Sequence, residues 1–365
     1  PLRPWLTTGL LPEERLLPED LKEAGYETAI VGKWHLGHAS RSLWPQARGF
    51  DHFYGHLTGM IDYFQHTGWG GLDWQRDGTS LREKGYSTDL LAKEAVRIIE
   101  DHAPGKPLFL YLPFNAPHAP LEAPPELEAK YNDIKDLRRR RYCAMVDSLD
   151  QAVGKVLDAL DKKGMTKDTL VLFVSDNGAS PPNGGRNAPL RGGKLSTLEG
   201  GIRVPALAWW PGHLEGGRHF GQVMTALDLL PTLSGAAGVR PGAAGPLDGR
   251  NLLGALLSGR VQEREDLFFA ISDPAFYSYA VLHGEWKLVR RIRKSDGKVF
   301  DALFRIEEDP NESRDLSRQH PDLVGELGAK IDAWRATYPP GGFQFNPRPP
   351  AAWKAPNDWV AAAGK

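Results

Sequence analysis

Asp176 and Asn177 follow an apolar run and together offer a carboxylate and an amide carbonyl, hard oxygen ligands that suit Ca²⁺ or Mg²⁺. A hard cation takes about six oxygens, so the pair supplies only part of a site. Asp-Asn-Gly after a strand is also a common turn. Lys33 and His35 alternate at the end of a strand-like segment, and both reach one crevice only where the backbone leaves its pleat. Each alone also reads as an ordinary surface or core residue. Lys194 follows Gly192-Gly193, where glycines admit close backbone approach and the ammonium can hold an anion as a point charge. His118 lies between two Ala-Pro steps, a stiff setting for an imidazole that gives or takes a proton. Two lysines, two histidines and an Asp-Asn pair suit an anionic ester: the cations hold the oxyanion and a histidine protonates the leaving oxygen.

The elements that must deliver these residues are legible in the hydrophobic pattern. A short helix over 16–24 stops at Gly25, and the strand Tyr26–Val31 runs into Gly32-Lys33-Trp34-His35. An amphipathic helix over 87–102 precedes the apolar strand 108–112, which ends before His118. A helix over 137–160 precedes the strand 170–174, which runs straight into Asp176. These strands lack alternation, as strands do when helices cover both faces of a parallel sheet. Further elements are a strand at 206–210 and a helix from 228. The alternation gives an α/β fold with a mainly parallel central sheet between helices, so ligands belong at the strand C-terminal ends. His35, His118 and Asp176 all lie just past such ends. Beyond 258 the pattern becomes short strands and a helix over 321–338, a small antiparallel sheet with a helix on it. The expected organisation is a domain over 1–258, a subdomain over 259–338 and an extended tail over 339–365, rich in Pro, Gly and Ala.

Of 365 residues, 45 are Lys or Arg and 46 Asp or Glu, a net charge of −1 that advertises no nucleic-acid partner. No apolar run is long enough to span a membrane. The single cysteine, Cys143, excludes an internal disulfide and a multi-cysteine metal site, and it reads as a small buried hydrophobe. Arg138 to Arg141 reads as the solvated face of a helix. Trp69, Trp74, Trp209 and Trp210 could stack on a sugar or aryl group, although packing is the commoner use. Asn311-Glu312-Ser313 matches a glycosylation sequon that recurs by chance.

Ordered motifs add a resemblance. Glu23-Ala24-Gly25-Tyr26, then Val31-Gly32-Lys33-Trp34-His35-Leu36-Gly37, then Arg48-Gly49-Phe50-Asp51 resemble the type I sulfatases of the arylsulfatase B-like branch. So do Pro117-His118-Ala119-Pro120, Ser175-Asp176-Asn177-Gly178, Leu190-Arg191-Gly192-Gly193-Lys194 and Glu199-Gly200-Gly201-Ile202-Arg203. Trp286-Lys287-Leu288 and Asp309-Pro310-Asn311-Glu312 follow in the same order. The resemblance implies an alkaline-phosphatase-like fold, a Ca²⁺ ion (Mg²⁺ as the alternative) and hydrolysis of aryl or carbohydrate sulfate esters through formylglycine. It implies Asp176 and Asn177 as Ca²⁺ ligands, Lys33 and Lys194 on the sulfate oxygens, His35 assisting the formylglycine hydroxyls, and His118 on sulfate and leaving group. It also implies a periplasmic or secreted setting, because bacterial members are often exported. No residue sets the particular ester or the oligomeric state.

The chain departs from that family in one respect. Its nucleophile motif, C/S-x-P-S-R, and the upstream acidic Ca²⁺ ligands do not occur here, and Pro1-Leu2-Arg3 resembles sequence that follows the motif in relatives. The expectation is a chain without its N-terminal strand and nucleophile, inactive by itself because positioned cations alone leave only residual rate. Two other readings stand beside it: a pseudo-enzyme that binds sulfated ligands, and a phosphoester or phosphonate hydrolase of the same superfamily.

Overall fold

The computed structural model describes residues 2–242, 245–338 and 348–363. In chain order its elements are α1 (Leu17–Glu23), β1 (Glu27–Lys33), β2 (His52–His56), β3 (Thr67–Gly68), β4 (Gly71–Leu72), β5 (Gln75–Arg76), β6 (Thr79–Ser80), α2 (Ser87–Asp101) and β7 (Leu108–Tyr111). Then come α3 (Pro125–Ala129), α4 (Leu137–Lys162), β8 (Val171–Val174), α5 (Glu199–Ile202), β9 (Ala206–Trp209), α6 (Leu229–Ala236) and α7 (Leu253–Ser258). The strands β10 (Leu267–Ser272), β11 (Phe276–His283), β12 (Trp286–Arg293) and β13 (Val299–Arg305) precede α8 (Pro321–Arg335) and α9 (Trp359–Ala362). The chain forms two compact units, Pro1–Leu170 with Trp210–Val261 and Arg348–Lys365, and Val171–Trp209 with Gln262–Pro347. No helix among the described residues is long and apolar enough to cross a membrane.

The first unit is built on a five-stranded sheet of order β6-β5-β2-β1-β7. β1 runs parallel to β2 and β7, while β5 and β6 continue the sheet antiparallel. Alternate residues of β1 face opposite sides: Ile30 joins Trp34, Phe50 and Phe53 in one apolar cluster, and Val31 joins Tyr54, Trp74 and Leu91 in another. Each such large buried side chain contributes about 1.5–3 kcal/mol of transfer free energy. β7, expected to be covered on both faces, packs Phe109 against the first cluster and Leu110 against the second, and only its last residue, Tyr111, is 48% exposed. The sheet order explains this, since β7 is the terminal strand.

Gly32 and Gly55 are register partners at the C-terminal end of this sheet, both with positive φ. A Cβ on Gly32 would stand 2.1 Å from the Pro113 carbonyl oxygen, and one on Gly55 2.1 Å from that of Gly32. Only glycine permits this convergence of three backbones. The next register pair is Lys33 with His56.

The second unit contains the antiparallel sheet β10-β11-β12-β13. One face packs Tyr279, Val281, Leu288 and Leu303 against Leu327 and Ile331 of α8; the other buries Ala280, Val289 and Phe304 beside Leu198. Residues 171–209 group with this sheet, whereas the sequence pattern placed them with the first domain. β8, expected as a buried parallel strand, pairs antiparallel with β9, and Val174 and Leu207 are 49% and 62% exposed. An apolar run encodes strand propensity and a demand for cover, but not which element supplies it.

The tail, expected to be extended or wrapped over the surface, is described only in part. Residues 339–347 lie outside the described residues, but 348–363 return to the first unit, where Trp359 and Val360 are buried. Asp358 caps α9 by accepting from the Val360 and Ala361 amides, and the Trp359 indole donates to the Gly68 carbonyl at 2.8 Å.

Candidate functional site

In the first unit the structure brings Lys33, His35 and His118 together with His56, which sequence reasoning passed over. Pairing of β1 with the β2 segment continues past both strands: Trp34 N–H donates to the His56 carbonyl at 2.9 Å and His35 N–H to that of Leu57 at 3.0 Å. His35 takes the left-handed conformation, φ +57°, which turns it out of the pleat. Its ring packs on Gly59, where a Cβ would stand 2.6 Å from Cε1. His35 Nε2 lies 2.8 Å from the Leu2 carbonyl, so Nε2 carries the proton. Burial first, with the nearby Lys33 charge adding, pushes His35 down to about 4.

His56 is fully buried, and its Nδ1 donates to the Thr58 carbonyl at 2.9 Å. Burial and then Lys33, with smaller effects from His35 and His118, depress it to about 3. Its Nε2 is enclosed without a hydrogen-bond partner among the described residues. The missed signal was a repeated pattern, since Val31-Gly32-Lys33 and Tyr54-Gly55-His56 both end a strand in glycine and then a basic side chain. The turn behind His56 is held by Asp73, a buried carboxylate that accepts from the Leu57 and Thr58 amides at 2.8 Å each. Burial raises the Asp73 carboxyl above its usual range.

His118 follows β7 and sits in a backbone fixed by Tyr63, whose hydroxyl donates to the Asn115 and His118 carbonyls at 3.0 and 2.8 Å. Its Nδ1 donates to the Ala119 carbonyl at 2.7 Å, which fixes the tautomer with the proton on Nδ1 in the neutral ring. The group therefore combines one ammonium with imidazoles of defined tautomer, at the C-terminal ends of parallel strands as the fold argument expected. A depression of about 480 Å³ lined by Lys22, Tyr26, Asp51 and His52 lies at the opposite end of these strands and contains none of the four.

In the second unit the structure places Asp176, Asn177 and Lys194 on loops that are laced together. Asn187 accepts from the Ala179 amide at 2.8 Å and donates to the Ala179 and Gly192 carbonyls at 2.9 and 3.1 Å. Lys194 N–H donates to the Ala179 carbonyl at 3.1 Å, and Gly178 N–H to that of Gly201 at 3.0 Å. Asn177 Nδ2 donates to the Gly178 carbonyl at 3.0 Å, which orients the amide and its oxygen. As donors, a carboxylate and an amide oxygen fit a hard cation in kind. They do not complete a site: no group of three or more His, Cys, Asp or Glu suited to a metal occurs among the described residues.

Of the remaining candidates, Trp69 and Trp209 are exposed. Cys143 is half-buried, the Arg141 guanidinium pairs with Glu128 at 3.3 Å, and Trp74 is fully enclosed and donates to Glu83 at 2.9 Å.

Comparison with known proteins gives concordant matches. A family model described as Sulfatase matches residues 3–239. Mouse arylsulfatase J is 33% identical, over 95% of this chain and 67% of its own. Human N-acetylgalactosamine-6-sulfatase is 36% identical over 72% of this chain and 52% of its own, so the chain spans about half the length of that relative. The crystal structure of Ps i-CgsB in complex with k-i-k-neocarrahexaose superimposes with a TM-score of 0.82 at 32% identity, covering 90% of this chain and 76% of that one.

Proposed function

The chain belongs to the sulfatase family, with its alkaline-phosphatase-like α/β fold, and from that premise we propose that its residues serve the hydrolysis of sulfate monoesters of carbohydrates. The carbohydrate part of this reading is supported by relatives named for a galactosamine sulfate and solved with a neocarrahexaose. The observation that carries the reading is the Lys33 group, where an ammonium stands beside the imidazoles of His35 and His56, which burial keeps uncharged near neutral pH, and near His118. An entering sulfate would meet a fixed positive charge there.

Lys33 and Lys194 hold sulfate oxygens as point charges. His35, whose Nε2–H is committed to the Leu2 carbonyl, presents Nδ1 as an acceptor. His118, anchored through Nδ1, protonates the leaving sugar oxygen from Nε2 when it is in the imidazolium form. Asp176 and Asn177 would hold Ca²⁺, or Mg²⁺, as two of its ligands, and the bound cation would neutralise sulfate charge. The motif for formylglycine, the family's nucleophile, does not occur among these residues. The steps assigned to them are therefore binding, orientation and proton transfer.

Isothermal titration of this chain with inorganic sulfate and with a carrageenan oligosaccharide tests the reading. Binding should weaken as NaCl is raised. Lys33→Ala should weaken it about tenfold or more, from a charge-assisted hydrogen bond of about 1.5–3 kcal/mol. No sulfate should be released. Equal affinity in Lys33→Ala, or sulfate release by the chain alone, would overturn the assignment.

A further inference from the structure

Three sequence motifs that the proposed chemistry does not use meet in the interior of the second unit. Lys287, on β12, is fully buried, as is Glu312, and Glu199 is nearly so. Lys287 Nζ lies 2.8 Å from Glu199 Oε1 and 2.8 Å from Glu312 Oε1. The second oxygen of Glu312 accepts from the Glu199 amide at 2.7 Å, and the Glu312 carbonyl accepts from the Arg191 guanidinium at 3.1 Å. Arg203 reaches the other Glu199 oxygen at 3.6 Å from the solvent side. Glu312 itself sits in the left-handed region, φ +53°, in a turn whose Asp309 carboxylate accepts from the Ser313 and Arg314 amides.

Burying an ammonium with two carboxylates is a poor route to stability, because apolar side chains of similar volume commonly do as well or better. It can still fix a position, because one ammonium meets both carboxylates in a single arrangement, hydrogen-bonded to Glu199 Oε1 and paired by charge with Glu312 Oε1, which takes no hydrogen bond among the described residues. What this arrangement fixes is α5, and α5 touches both functional loops through backbone alone. Gly178, next to Asn177, approaches Gly200 so closely that a Cβ would stand 1.8 Å from the Gly200 carbonyl oxygen. A Cβ on Gly201 would stand 2.2 Å from the Ser196 carbonyl oxygen, and one on Gly200 2.6 Å from that of Arg191. Hydrogen bonds from Gly178 N–H to Gly201 and from Gly200 N–H to Arg191, at 3.0 and 2.7 Å, close the contact. No compliant side chain lies in these contacts, so a shift of α5 passes to the Asp176–Asn177 loop and to the loop carrying Lys194.

We propose that Lys287, with Glu199 and Glu312, is a positioning assembly through which the four-stranded sheet sets the place of both the Asp176–Asn177 pair and Lys194. The functional part of this proposal rests on reading those residues as cation and anion holders; the positioning part does not. Burial, with the Glu199 charge adding, raises the Glu312 carboxyl above its usual range, while Lys287 and the Glu199 amide oppose that shift.

Site-resolved hydrogen exchange on this chain tests it. Lys287→Met leaves two buried carboxylates unmatched, so the informative partner is the neutral triple variant Lys287→Met, Glu199→Gln, Glu312→Gln. In the triple variant the Gly178, Lys194 and Gly201 amides should exchange at least tenfold faster, while amides of Ala280 and Val289 stay within twofold and Tm moves by a few degrees only. Sulfate affinity, read by titration, should fall about tenfold. Unchanged protection at Gly178 and Lys194 would overturn the proposal. So would a uniform loss of protection through β10–β13, which marks a merely structural role. If the unsubstituted chain binds no sulfate, the functional reading fails, and the exchange pattern still decides the positioning.

Discussion

At the scale of residues, His56 shows how burial and neighbouring charge prepare a group for anion chemistry. A fully enclosed imidazole beside an ammonium cannot take a proton cheaply, so it stays neutral to about pH 3. The consequence for stability has a definite sign. The folded-state value lies below the unfolded value of 6.5, so the contribution is complete above pH 6.5 and is lost as pH falls toward 3. Between those limits the unfolded chain binds a proton that the folded chain refuses, a slope of about 1.4 kcal/mol per pH unit for one histidine. Urea unfolding at pH 7, 6 and 5 should show His56→Gln with a shallower acid decline than the unsubstituted chain by about that amount. Parallel declines would mean that His56 titrates in the folded state as it does unfolded.

At the scale of elements, the end of β1 matters more than its length. Gly32 and Gly55 let three backbones converge immediately before Lys33 and His56, and the left-handed turn at His35 then brings a third basic residue to the same end. Gly32→Ala forces a Cβ to 2.1 Å from a carbonyl oxygen in a conformation that L-residues avoid. Overpacking and backbone strain together should lower stability by about 3 kcal/mol or more, read as a shift of the urea midpoint at constant m. An alanine variant of normal midpoint would mean that the strands separate easily there. The sequence displayed this geometry only in part. It announced Gly32-Lys33 as the end of a strand, but the pairing that sets His56 against Lys33 is a register, and register depends on the other strand.

At the scale of the whole molecule, each unit is closed by chain segments distant in sequence. Residues 348–363 return to the first unit, where Trp359 packs edge-on against His38 and its neighbour Val360 joins the cluster of Ile30 and Phe53. Trp359→Ala should therefore cost about 3 kcal/mol, as for a large side chain removed from a core. Thermal unfolding checks it, and a change within a degree or two of the parent would show that the tail is dispensable. The charge balance of −1 fits this picture, in which recognition is carried by local groups and not by a long-range field.

The sequence by itself determined the α/β class, the identity and approximate limits of most helices and strands, and the placing of Lys33 at a strand end with His35 and His118 beyond strand ends. These are local consequences of hydrophobic period, glycine stops and backbone propensity, and neighbouring residues suffice to express them. Tertiary structure alone decided that β7 is an edge strand, that β8 pairs antiparallel with an exposed partner, and that the tail carries a buried helical turn. It also decided that His56 joins Lys33, that Asn187 laces two loops, and that Glu199, Lys287 and Glu312 close on one another across 113 positions of sequence. Such contacts depend on register, cover and the pairing of buried charge between segments far apart in the chain, and no local pattern encodes which distant segment will answer.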